Sequence, residues 1–154
     1  MPSSLGVERG GGQAIPPARD TARAMSQENV EIVRRLYEAF NRRDLTAESE
    51  VLDPNFEWIP DTRSFESPIR GREEVLRFLD DQIETLGLRL QPETFFEKGD
   101  QVVAFIRAIG RGEASGAEMD IRIAGVWTLR NGIVMRGQAY AERAEALEAV
   151  GLRE

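Results

Sequence analysis

The apolar period of this chain changes at Leu88, and that change decides most of what the chain can fold into. Upstream, apolar residues recur at three- and four-residue steps. Val30, Val33, Leu36, Tyr37 and Phe40 make one stripe, and Val75, Leu76, Phe78, Leu79, Ile83 and Leu86 make another. Such spacing lines up side chains on one face of an α-helix, and an apolar face of that kind must be buried. Downstream, apolar residues alternate with polar ones over about 88–97, 101–111, 118–130 and 133–140, which is the period of a strand. Helices first and a run of strands afterwards predict an α+β fold, with one apolar sheet face closed over the helical stripes.

Local signals set the limits of the elements. Ser26 is placed to N-cap a first helix over 26–42. The 41–44 segment (NRRD) breaks it, and Asp44 can cap a second, short helix that carries Leu45, Val51 and Leu52 and ends before Pro54. Phe56, Glu57 and Trp58 read as a short strand, followed by a loop over 60–68. Gly71 with Glu73 and Glu74 opens a third helix, and Gly87 stops it. Lys98-Gly99-Asp100 and Asn131-Gly132 are tight connections, the second a strong hairpin signal. A last amphipathic piece over 142–150 ends at Gly151. The four long strands are therefore expected as an antiparallel meander.

A chain of 154 residues suits one domain. Residues 1–24, rich in Gly, Pro and small polar residues and without period, are expected as a flexible N-terminal extension, with the domain over 25–154 and Met25 as a plausible natural start. A net charge of −7 offers no basic stripe for phosphates, which argues against nucleic acid and against anionic membranes. No apolar run nears the roughly 20 residues that span a bilayer, and the first 24 residues lack the apolar stretch of a signal peptide, so a cytoplasmic location is expected. The chain has no cysteine and no histidine. Thiolate and imidazole ligands are thus missing, as is the commonest general base near neutral pH. Chemistry falls to Asp, Glu, Tyr, Arg or water. No carboxylates are spaced for a metal, and neither metal nor cofactor is expected.

Five stretches of text, in this order, resemble the SnoaL-like, nuclear transport factor 2-like superfamily: SQENVEIVRRLYEAFNRRDL, LDPNFEW, GREEVLRFL, VWTLRNGIV and ERAEALEAVGL. The resemblance covers about residues 25–152. It implies a cone-like α+β barrel, a curved antiparallel sheet wrapped around three N-terminal helices, with a short C-terminal helix. It also implies a deep cavity and a homodimer through the outer sheet face. Ketosteroid isomerases of this fold carry a proton-shuttling aspartate after the first strand. The matching position here is Pro60, with Asp61 one residue beyond. Their oxyanion-binding tyrosine matches Leu36, and one helical step of about 100° turns Tyr37 elsewhere. Their second oxyanion donor matches Gly125. The acid/base aspartate of SnoaL-type cyclases, and that of limonene-epoxide hydrolases, matches Ala139. The hydrolases' Arg-x-Asp pair is met by Arg107 but by Ile109 in place of the aspartate, and scytalone dehydratases need the histidine this chain lacks.

The candidate ligand-binding residues are Tyr37, Trp58, Phe78, Phe105, Met119, Ile121, Ile123 and Gln138. Arg107 interrupts an apolar strand on the face of Val103, Phe105 and Ile109. An arginine there would want a ligand anion, or failing that Asp120. Asp120 and Arg122 fall on the outer sheet surface. The function expected is binding of a small hydrophobic molecule, carbonyl-containing or anionic. The alternative is an isomerase, cyclase or lyase with Asp61 as general base and Arg107 or Tyr140 as electrophilic partner. A structural module with a solid interior is the third option.

Overall fold

The computed structural model describes residues 18–152 apart from 62, 64–65 and 112–115, and for 18–26 the backbone alone. Of the flexible extension expected over residues 1–24, residues 1–17 lie outside the described residues and 18–24 are helical instead. The elements are α1 (Ala18–Arg42), α2 (Leu45–Val51), β1 (Leu52–Ile59), β2 (Ile69–Arg70), α3 (Arg72–Leu86), β3 (Arg89–Lys98), β4 (Gln101–Arg111), β5 (Glu118–Arg130), β6 (Ile133–Tyr140) and α4 (Arg143–Ala149).

The helix and hairpin signals act where they were read, with one exception. Helix α1 begins at Ala18, so Ser26 lies inside it and is not its N-cap. The ARDTARAMS segment has no apolar stripe, but it is built of residues that tolerate a helix and contains no Gly or Pro. Asp44 does cap α2, its Oδ1 accepting the Ala47 N–H at 3.1 Å. Gly87 ends α3 with φ 58°. Asn131 and Gly132 both take positive φ, 51° and 78°, the geometry of the two-residue hairpin turn that joins β5 to β6. At the C-terminus, the Leu152 N–H reaches the Leu147 carbonyl and the Gly151 N–H the Glu148 carbonyl, a Schellman closure of α4.

The sheet runs β2-β1-β6-β5-β4-β3 and is curved and unclosed. Strands β3 to β6 form the expected antiparallel meander. The expectation of a wholly antiparallel sheet is corrected by β1, which lies parallel to β6, so the sheet is mixed. Periodicity reveals that a segment is a strand, not which neighbour it meets or in which direction. Strand β1 is also longer than Phe56 to Trp58 suggested. Pro54 sits inside it, where the register to β6 shifts and no ladder donor is needed.

Both faces of the sheet centre are buried. Helices α1 and α3 press on the inner face, where Val33, Val75, Val102 and Val134 are wholly buried among Leu52, Phe56, Ile106 and Trp127. Each such side chain contributes about 1.5–3 kcal/mol relative to exposure. On the outer face, α4 lays Ala146, Leu147 and Val150 over Val103, Phe105, Ala124 and Val126. This second layer explains why β4 is apolar on both sides.

Candidate functional site

Between the helices and the inner sheet face lies a cavity of about 380 Å³, within the roughly 300–1,000 Å³ usual for small-ligand sites. The interior is therefore not solid. Its aromatic wall is organised by Trp127 on β5, whose ring lies 5.6 Å from Tyr37 of α1, edge to face, and 5.8 Å from Trp58 of β1. Phe56 stacks on it at 6.3 Å. Gly137 of β6, cross-strand from Trp127 and paired with Trp58, makes this possible. A Cβ there would stand 2.7 Å from Trp127 and 3.1 Å from Trp58.

Of the residues singled out from sequence, Tyr37, Trp58, Phe78, Met119, Ile121 and Ile123 line this cavity, as do Asp61 and Tyr140. Tyr37 enters it although the resemblance pointed to Leu36, because α1 presents both residues to the interior. The Trp127 Nε1–H donates to the Tyr37 hydroxyl oxygen at 2.9 Å. Burial raises the phenol's pKa well above its ordinary value, so the group stays neutral. Gly125 and Ala139 are directly paired across β5 and β6 and both line the cavity. The two positions where the resemblance looked for carboxylates are thus at the wall and carry no functional side chain.

Three expected residues are elsewhere. Arg107, Phe105 and Gln138 sit on the outer face. Residues 102, 104, 106 and 108 of β4 are the inward ones, so Arg107 and Phe105 shared a face, as expected, but the wrong one for a ligand. Because α4 buries the outer face as deeply as α1 buries the inner, alternation could not say which was which. Arg107 is exposed and holds Asp120 through a two-pronged ion pair, with Nε to Oδ1 at 2.8 Å. Phe105 packs against Phe96 and beneath the Arg143 guanidinium. Gln138 lies beside α4 with Glu145 and Glu148.

Asp61 stands at the cavity with both oxygens engaged. Oδ2 accepts the Ala141 N–H at 2.7 Å and Oδ1 the Arg63 N–H at 2.8 Å, while the Arg63 guanidinium lies 3.5 Å away. Partial burial works to raise its pKa, but those N–H bonds and Arg63 outweigh it and hold the carboxyl below its ordinary value. The group ties the loop after β1 to the end of β6. Asp61 and Tyr140 meet at the cavity, near enough for the Asp61 charge to act on the phenol, but Arg107 lies on the other face of the sheet.

The residue that sequence reading missed is Glu48 on α2. It is 1% exposed, it lines the cavity, and among the described residues its Oε2 has no hydrogen-bond partner. Burial, and then the negative charges of Asp44 and Asp80, push its carboxyl up to about 7. The signal was there in the spacing. Glu48 falls four residues before Leu52, which is buried, whereas Leu45, taken as part of the apolar stripe, is 42% exposed. The phase of a seven-residue helix is set by too few residues to read reliably.

This arrangement, a bent mixed sheet closed over three helices with a cavity between, defines an α+β fold of the nuclear transport factor 2-like class. The sequence profile of the SnoaL-like domain matches residues 33–136, and the chain belongs to that family. No functionally curated protein matches. Among solved structures, Bal32a from a soil-derived mobile gene cassette is 25% identical, with a TM-score of 0.69 over 75% of this chain and 89% of its own. A nuclear transport factor 2-like protein of unknown function from Burkholderia pseudomallei K96243 is also 25% identical, with a TM-score of 0.67 over 80% of this chain and 98% of its own. A candidate SnoaL-like polyketide cyclase from Jannaschia sp. CCS1, 22% identical, reaches 0.69 over 93% of this chain and all of its own, and speaks to the fold.

Proposed function

We propose that this SnoaL-like domain binds a small, largely apolar molecule in the cavity, oriented by an oxygen of the ligand that accepts the Tyr37 O–H. The observation that carries the reading is the cavity of about 380 Å³ with aromatic and aliphatic walls. An apolar space of that size suits a small molecule, whose contacts with the walls would add dispersion attraction. Tyr37 supports the polar half of the reading. Its oxygen accepts from Trp127, and among the described residues nothing accepts the proton it still carries. A carbonyl oxygen at that point would satisfy a buried donor, worth about 0.5–1.5 kcal/mol. A homodimer through the outer sheet face belongs to the same reading, using the charged strip of Arg107, Asp120 and Arg122 that α4 leaves exposed. Sedimentation equilibrium that returns a monomer at tens of micromolar would remove that part.

The test of binding is native mass spectrometry of the purified protein for retained small molecules, together with a thermal-shift panel of apolar ketones and the hydrocarbons of the same shape. A ketone at about 100 times its Kd adds about 2.7 kcal/mol, or about 5–11 °C for a chain of this length. The ketones should outperform the hydrocarbons, and Tyr37→Phe should erase the difference. A panel in which nothing stabilises the protein refutes the proposal.

A further inference from the structure

A carboxylate buried without a partner inside a ligand-sized cavity asks what meets it. Glu48 is one of three acidic residues among the lining, with Asp61 and Glu66, and the described lining contains no Lys or Arg. Arg107, the cation that an anionic ligand would need, points away on the other side of the sheet. The nearby charges that act on Glu48 are Asp44, from the cap of its own helix, and Asp80 on α3, both negative. Asp80 is itself engaged by Arg43 at 3.3 Å, outside the cavity. From α1 and β1, the neighbours Leu36, Phe40 and Leu52 bring no charge. Among the described residues an ionised Glu48 therefore has no counter-ion.

We propose that the cavity takes a molecule carrying a protonated amine, with the Glu48 carboxylate as its counter-ion. This rests on the binding proposed above and names the ligand class for the same cavity. With a turn of the Glu48 side chain toward the cavity, an ammonium would supply the N–H donors that Oε2 lacks and cancel a charge that the folded protein otherwise holds against its own desolvation. The aromatic walls favour it further, since the faces of Trp58, Phe40 and Phe78 attract a cation as well as apolar surface. A carboxylate ligand would instead add a second buried negative charge.

The test compares three probes of one shape, 4-phenylbutylamine, 4-phenylbutan-1-ol and 4-phenylbutanoate, by isothermal titration calorimetry on the full chain. At pH 7 the amine should bind about tenfold more tightly than the alcohol, and the acid most weakly. In Glu48→Gln the amine's advantage over the alcohol should disappear, whatever the substitution does to the affinity of both. A second readout needs no variant. With Glu48 about half protonated at pH 7 in the free protein, the amine should release about half a proton, seen as a buffer-dependent enthalpy, and the alcohol none. If the alcohol binds and the amine gains nothing over it, or keeps its gain in Glu48→Gln, the amine assignment falls while the cavity reading stands. If no probe binds, both fall.

Discussion

Glu48 gives the sharpest prediction, because its cost to the fold depends on pH with a known sign. In the unfolded chain its carboxyl has the ordinary value of 4.5, and in the folded protein about 7. Below about pH 4 both states hold the proton, and the difference contributes nothing. Between 4.5 and 7 the unfolded chain has lost a proton that the folded protein keeps, so stability falls as pH rises. Above 7 both are ionised and the penalty levels off. At about 1.4 kcal/mol per pKa unit, the full penalty is about 3 kcal/mol. The side chain is 1% exposed, so solvent screening removes little of it. Glu48→Gln titrates in neither state. Urea denaturation from pH 4 to 8.5, followed by tryptophan emission, should therefore show the difference between wild type and variant changing by about 3 kcal/mol, with wild type losing ground. In thermal melts that is about 6–12 °C. The change, not the offset, is diagnostic, since an amide in the same place carries its own hydrogen-bonding cost. Parallel curves across this range would refute the reasoning, and with it the claim that Glu48 is buried without a counter-ion.

The remaining predictions concern the cavity wall and the outer face. Gly137→Ala drives a methyl carbon to 2.7 Å from Trp127, and overpacking of this sort costs about 1–3 kcal/mol; the melting temperature should drop and the near-ultraviolet dichroism of the tryptophan pair should change. Tyr37→Phe leaves the buried Trp127 N–H without its acceptor, a loss of about 1–3 kcal/mol that urea midpoints will register. Arg107→Ala breaks an exposed pair on the far side of the sheet and should leave probe affinities unchanged; a weakened affinity would show that the sheet face had been misassigned.

Sequence alone determined the order of the helices and of the four long strands, and the packing of one sheet on helices. The change of period at Leu88, the cap at Asp44, the stop at Gly87 and the Asn131-Gly132 turn are local facts, decided by interactions within a few residues, and the four long strands end within one residue of where the pattern placed them. The same locality explains why most of the residues expected at the cavity wall are found there. Met119, Ile121 and Ile123 alternate with the charged Asp120 and Arg122, so the inward face of β5 could be read directly.

What tertiary structure alone decided is whatever depends on a partner distant in sequence. Strand β4 carries apolar residues on both faces, and only the docking of α4 on one and α1 on the other assigned Arg107 and Phe105 to the outside. Strand β1 became parallel to β6 through packing that no local pattern encodes. Glu48 reads as one more surface carboxylate on a short helix until α1, α3 and β1 close around it. Burial is a property of the whole assembly, and burial is what turned an ordinary glutamate into a carboxyl with a raised pKa at the cavity wall.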